Sequence, residues 1–294
     1  MTRINEIIRL SDSVSLYDQR DLSKLFYQAG LLILAIISGA IFIFPLYWLV
    51  KIAIMWPPGA LFGGTPSLVI ENPSVYNFAE VLFATSFISD MINTAIFTAL
   101  AIASQLLFCS FAAYALTLDI YGKKYIYAFI ITAMLIPFQT IFLPDFLVTQ
   151  RLGLITSYPG LAIVVAVSVV NILILRNAFD SIPQDLIDAA RLDGASELYV
   201  LFGVYWPLSK PALSTIAILS FVFSWNNFLW PLVAVRDDSY TPLSLGLAQL
   251  SGRVAGDFAL LYAYAIMALL PVLTAFLLLQ NQFIRSVVSS SLKT

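Results

Sequence analysis

Histidine is absent from this 294-residue sequence. That removes the commonest metal ligand and the commonest general base near neutral pH. Cysteine is almost absent. Cys109 is the only one and sits inside an apolar run, so no disulfide can form within the chain, and packing is the simplest role for it. Charge is scarce too. Asp, Glu, Lys and Arg make up 11% of the residues, against about a quarter in soluble domains. The 15 basic and 17 acidic side chains leave a net charge of −2, with no basic excess to attract nucleic acid. No Gly-x-x-x-x-Gly-Lys-Ser/Thr run occurs, so the chain has no recognisable ATP-binding loop. Its long apolar stretches are nearly free of ionisable groups. This argues against a gradient-driven transporter, which buries charged relays in the membrane, and against a membrane enzyme, which needs a carboxylate pair or a metal site. Asp145 is the exception and reads as an interface residue.

What remains is apolar. Hydrophobic residues are 60% of the chain and the mean hydropathy is +0.90. One aqueous core cannot bury that much, so the natural solvent is a bilayer. Six windows are long enough for a spanning helix of about 20 residues: 26–50, 90–116, 124–148, 159–175, 208–235 and 258–283. The alternating ten-residue segments of a β-barrel are not seen. The expected fold is all-α, a polytopic membrane protein with six transmembrane helices. Residues 1–25 form an N-terminal segment, 26–285 the membrane domain and 286–294 a tail. The first window lies behind a charged segment and is too long for a signal-peptide core, so it reads as a retained anchor. The segment before it, with Ile4, Ile7, Ile8 and Leu16 among charges, reads as a short surface helix or a loose tail.

Basic residues orient the spans. With the N-terminus in the cytoplasm, the inner segments hold Arg3, Arg9, Arg20, Lys24, Lys123, Lys124, Arg176, Arg191, Lys210, Arg285 and Lys293, and the outer ones only Lys51, Arg151, Arg236 and Arg253. Both termini are expected inside. The outer connections are rich in turn residues, with Pro57, Pro58, Gly63, Gly64, Pro66 and Pro73 in one and Asp237, Asp238, Pro242, Gly246, Gly252 and Gly256 in another. They suit either docking of an external partner or simple solvation. Pro45, Pro137, Pro144, Pro231 and Pro271 lie within the windows. A proline frees a backbone carbonyl and kinks the helix, which fits curved helices around a pathway or ordinary membrane-helix kinking.

One charged insert interrupts the second half: "SIPQDLIDAARLDGASELYVLFGVYWPLSKP". Ser181 and Gln184 have the spacing of a capping box, Pro183 suits a first turn, Asp185 favours the positive end of a helix dipole and Gly194 suits a left-handed stop. The pattern predicts a helix over 182–193, too short and polar to span. Ile182, Leu186, Ala189 and Ala190 fall on one side, with Asp188, Arg191 and Asp193 around them; Leu198, Leu201 and Phe202 make a second apolar stripe. This is either a docking element on the inner face or a plain amphipathic connection.

The insert resembles the signature loop of the membrane subunits of binding-protein-dependent ABC importers. That signature is Glu-Ala-Ala, three residues, Gly, nine residues, Ile-x-Leu-Pro. Here Asp188-Ala189-Ala190, three residues, Gly194, nine residues and Val204-Tyr205-Trp206-Pro207 keep the spacing throughout, with Asp for Glu, Val for Ile and Trp for Leu. "YALTLDIYGKK", "MLIPFQTIFLPDFLVTQRLGLITSYPGLAI" and "FVFSWNNFLWPL" resemble the carbohydrate-importing branch, similar to the maltose-type second permease. The tail "FIRSVVSSSLKT" departs from the Gly-rich end usual there.

The resemblance implies a non-catalytic permease in a bacterial or archaeal plasma (inner) membrane, in contact with lipid. It implies a second permease subunit, a cytoplasmic ATP-binding subunit dimer that alone holds ATP and Mg, and an external solute-binding protein; this chain would hold no cofactor. The 180–208 loop, with its coupling helix, would contact the ATPase through Asp188, Ala189, Ala190, Asp193, Gly194 and Pro207. For the solute path the candidates are Asn226 and Asn227, with two-way hydrogen bonding, and Trp225 and Trp230, whose flat faces suit sugar rings. Gln139, Asn171 and Gln105 are weaker candidates. Each amide could instead hold helices together. The lack of basic residues at membrane depth favours a neutral solute.

Overall fold

In the computed structural model the backbone is described for residues 2–57, 68–70, 72–253 and 257–291, and side chains for 24, 27–57, 68–70, 72–253 and 257–278. Pro58, Gly63, Gly64, Pro66 and Gly256 of the turn-rich connections lie outside the described residues, as does the end of the tail. Among the described residues no strand occurs; Met55 and Pro73 form one isolated bridge. The all-α expectation holds.

Helix α1 (Thr2–Ala53) runs through the boundary expected at residue 25 without a backbone break. Its apolar part, Tyr27–Ala53, packs beside α14 (Phe258–Ser291) and turns Leu32, Phe42 and Ile43 outward, as a lipid-facing helix does. A short α2 (Tyr76–Ala84) precedes α3 (Phe87–Thr117). At 31 residues, α3 is about 46 Å long, more than the roughly 30 Å hydrocarbon core. It is the central post. Its buried face carries small or polar groups, among them Thr94, Thr98, Ala101, Ser110 and Ala113, which let neighbouring backbones approach closely in the absence of a hydrophobic drive between helices. Against it pack α6 (Tyr158–Ile163), α7 (Val169–Asp180) and α11 (Lys210–Trp225).

Among the described residues, three stretches are long and apolar enough to cross a membrane alone: Tyr27–Ala53, Phe87–Thr117 and Phe258–Leu278. Two bent pairs bring the number to at most five: α4 (Lys123–Ala133) with α5 (Phe138–Arg151), bent by 102°, and Glu197–Leu208 with α11, bent by 86°. The fourth sequence window, 159–175, divides between α6 and α7. At its break the backbone groups find partners on α3: Gln105 donates to the Val165 carbonyl (2.8 Å), and the Cys109 thiol meets the Ser168 carbonyl (3.6 Å). Irregular backbone at membrane depth is tolerated only when satisfied in this way. Pro137, which has no N–H, stands at the bend between α4 and α5.

The connections sort to the two ends of α3. At its start, Asn93 donates to the carbonyls of Ser239 and Thr241 (both 3.0 Å) and accepts from the Tyr158 hydroxyl (2.7 Å), while Thr94 accepts from Leu243 N–H (2.7 Å). This seats α13 (Leu243–Arg253), which follows α12 (Leu229–Ala234). At its other end, α3 meets the charged insert.

Candidate functional site

The insert begins with α8 (Gln184–Leu192). A nine-residue helix is marginal alone, and here Ile187 anchors it by burying itself among Tyr114, Phe179, Leu201 and Tyr205. The expected capping box does not form. Helix α7 extends to Asp180, so Ser181 closes that helix instead, donating to the Ala178 carbonyl (2.7 Å). Gln184 donates to Asp188 (3.0 Å), and Pro183 occupies the N-cap. The expected apolar face is also corrected. Ile182 and Ala190 pack inward with Ile187, whereas Leu186 and Ala189 are exposed.

The helix ends as expected. Gly194 has φ +85°, and the N–H groups of Gly194 and Ala195 donate to the carbonyls of Arg191 and Ala190 (both 3.0 Å), a Schellman closure. Three residues of α9 (Glu197–Tyr199), capped by Ser196, lead into a π-helical stretch, Val200–Tyr205, and α10 (Trp206–Leu208). The result is a projection with Asp185, Asp188, Asp193, Leu192 (89% exposed) and Leu198 (61%) outward. Asp188, Ala189, Asp193, Gly194 and Pro207 are all exposed and Ala190 half-buried.

Two contacts that the sequence did not reveal tie the projection to α3. The Tyr114 hydroxyl donates to the Glu197 carboxylate, which also accepts from Arg191 (3.1 Å). The Trp206 indole donates to Ser110 (3.0 Å). Arg191 and Glu197 lie on either side of the Gly194 break, so no helical spacing flags them as a pair.

The solute-path candidates separate. Trp225 ends α11, stacks on Phe221 and donates to the Ala268 carbonyl (3.3 Å). With the exposed Asn226 it lines an open cavity of about 270 Å³ also bounded by Ser244 and Leu247. Asn227 is engaged in the backbone: its side chain accepts from Trp230 N–H (3.3 Å) and its carbonyl from Ser244 (2.7 Å). Trp230 is fully buried and donates to the Gly160 carbonyl (3.1 Å). It also packs edge-to-face with Phe142, so in this arrangement it offers no open face to a sugar. Asn171 donates to Gln105 (2.5 Å), which also accepts from Ser220 (2.6 Å), a link between α7, α3 and α11. These three border a larger open cavity of about 680 Å³, walled by residues such as Phe138, Val167 and Phe223 and by no charged side chain. Gln139 is exposed and outside both cavities.

Residues 105–287 match the family model of the binding-protein-dependent transport system inner membrane component. The chain belongs to this family. It is similar to the arabinooligosaccharides transport system permease protein AraQ of Bacillus subtilis (strain 168), at 29% identity over 91% of this chain and 96% of that one. It is also similar to the melibiose/raffinose/stachyose import permease protein MelC of the same organism, at 32% over 75% and 81%. Among solved structures, a chain of a bacterial ABC transporter involved in the import of the acidic polysaccharide alginate superposes with a TM-score of 0.74, at 28% identity, over 85% of this permease and 95% of that chain. The permease is therefore a non-catalytic membrane subunit of an ATP-driven importer, and ATP hydrolysis belongs to a partner subunit. The gradient-driven and scaffold readings fall away.

Proposed function

We propose that this permease imports a neutral sugar, oligosaccharide or related polyol or glycoside as half of a path shared with a second, different permease. The chain crosses the inner membrane six times when the divided α6–α7 window is taken as one further broken span beside those five, and both termini lie in the cytoplasm. Residues 26–285 are the permease domain between an N-terminal segment and a short tail. An external binding protein delivers solute at the end of α3 where Asn93 and Thr94 seat the 239–243 segment. A cytoplasmic ATPase dimer, which alone holds ATP and Mg, docks on α8 at the other end.

The observation that carries this reading is the projection itself. Along the insert the exposed Asp188, Ala189, Asp193, Gly194 and Pro207 and the half-buried Ala190 are interspersed with Leu186, Leu192 and Leu198, apolar side chains that the chain does not cover. An apolar patch rimmed by charge marks a protein-docking surface. For the solute, relatives named for arabinooligosaccharides and for melibiose, raffinose and stachyose support a sugar. The uncharged walls of the 680 Å³ cavity support a neutral one. Trp225 and Asn226 are the path residues of choice; Asn227, Trp230 and Asn171 act by shaping the helices around it.

Copurification with the ATPase, and ATP hydrolysis by the reconstituted complex stimulated by the solute of the neighbouring binding protein, test the assembly. Asp188→Lys and Gly194→Pro should insert normally yet lose the ATPase or uncouple hydrolysis from uptake. Normal uptake by both variants overturns the docking role.

A further inference from the structure

Four contacts run along one face of α3 at its insert end. Trp206 donates to Ser110 (3.0 Å); Phe111 meets Phe202 edge-on (centroids 5.8 Å apart); Tyr114 meets Tyr205 edge-on (5.4 Å); and the Tyr114 hydroxyl donates to Glu197. The first three reach the π-helical stretch and the residue after it. The fourth reaches beyond, to the base of α8, because Arg191 at the end of α8 donates both to Glu197 (3.1 Å) and to the Tyr114 hydroxyl (3.4 Å). Tyr114 is buried, whereas Arg191 and Glu197 keep 34% and 59% of their side-chain exposure. An ion pair this open to water adds little to stability. Its value lies in geometry: a planar guanidinium and a phenol fixed on the same carboxylate oxygen leave α8 one orientation relative to α3.

The need for such a fastening is visible in the backbone between them. The π-helical stretch is a form that occurs mostly as single turns at functional sites, and just beyond it the chain bends by 86°. A push on α8 transmitted along the chain toward α11 would have to pass through this bend. We infer that Tyr114, Glu197 and Arg191 form a transmission joint that bypasses the bend, fastening the ATPase-docking helix directly to α3 so that the two move as one body when nucleotide binds. Tyr114 and Glu197 are positioning residues; they touch neither solute nor nucleotide. The inference rests on the docking role of α8 proposed above.

The test uses the full complex with its ATPase, in a Cys109→Ser background, with spin labels on cysteines at Leu192 and at Tyr121. Both sites are exposed, one at the tip of α8 and the other just past the end of α3. The joint is broken by Tyr114→Phe or by Glu197→Gln. With the joint intact, the 121–192 distance distribution should be narrow and unchanged between the nucleotide-free and the ATP–vanadate states. Tyr114→Phe and Glu197→Gln should keep the ATPase bound at normal yield, but the distribution should broaden or shift when ATP–vanadate is added. The charge-swapped pair Arg191→Glu with Glu197→Arg should narrow it again relative to either single change. A distance that changes with nucleotide in the intact joint, or variants as narrow as the parent in both states, overturns the inference. Failure of the unlabelled chain, with Leu192 in place, to retain the ATPase instead removes the docking role beneath it. Variants that lose the ATPase outright also count against a joint, since they would make these residues part of the docking surface itself.

Discussion

The Tyr264 hydroxyl on α14 donates to the Asp90 carboxylate on α3 at 2.7 Å, and Gly246 of α13 closes over both. A Cβ at position 246 would lie 2.3 Å from the carboxylate oxygen and 2.5 Å from the phenol oxygen. Ser86 adds a second donor to Asp90 (2.8 Å), and the carboxylate is fully buried. Helix α3 thus meets α13 and α14, which are distant from it in sequence, on one acidic group, at the end of α3 that holds the 239–243 segment.

Gly246→Ala should therefore destabilise the permease. Neither a backbone nor a buried, doubly bonded carboxylate yields easily, and overpacking of this kind costs about 1–3 kcal/mol. Thermal unfolding in detergent should show a lower midpoint than for Gly252→Ala, where an added Cβ meets nothing within 4 Å. Equal midpoints for the two variants would refute the close packing.

Tyr264→Phe should cost about 1–3 kcal/mol by removing one donor from a buried carboxylate. Asp90→Asn should be milder in the Tyr264→Phe background than alone, because the second change then removes an already weakened interaction. Strict additivity in this double-mutant cycle would mean that the two side chains do not interact.

Gln105→Leu should weaken the bundle by about 0.6–2 kcal/mol. It strips a partner from the Val165 carbonyl at the α6–α7 break and from Asn171 and Ser220. The readout is the denaturant midpoint of the solubilised protein. Asn226→Leu should leave that midpoint near the parent, since its amide bonds to the Val222 carbonyl within its own turn, but should alter uptake. A stability loss larger for Asn226→Leu than for Gln105→Leu would reverse these assignments.

Sidedness gives the fourth check. In a Cys109→Ser background, a cysteine at Leu192 should react with an impermeant thiol reagent only in inverted vesicles, and one at Asp238 only in intact cells. Labelling of both from the same side would contradict the separation of the connections to opposite ends of α3.

Much of this was legible from residues alone. Apolar windows located the helices because a bilayer demands long runs of such side chains, and Gly194 announced its left-handed turn because few other residues tolerate it. The projecting insert stood out by its charge between two apolar windows. Other features were hidden for a physical reason. The capping box failed because α7 ran on to Asp180 and claimed Ser181 first. Trp230 looked available for a sugar, yet its indole is consumed by Gly160, which no local pattern connects to it. Window 159–175 was apolar enough to pass as one span, but its continuity depended on whether Gln105 and Cys109 stood ready to satisfy a break.

The sequence by itself determined the solvent, the helical class, the family signature and the projecting insert, since each depends on composition or on residues close together along the chain. Only the tertiary structure decided which amides fasten helices and which stay open, where spans break, and that Tyr114 would meet Glu197 83 residues away. Those outcomes depend on which polar groups arrive at the same depth in a medium with no water to satisfy them.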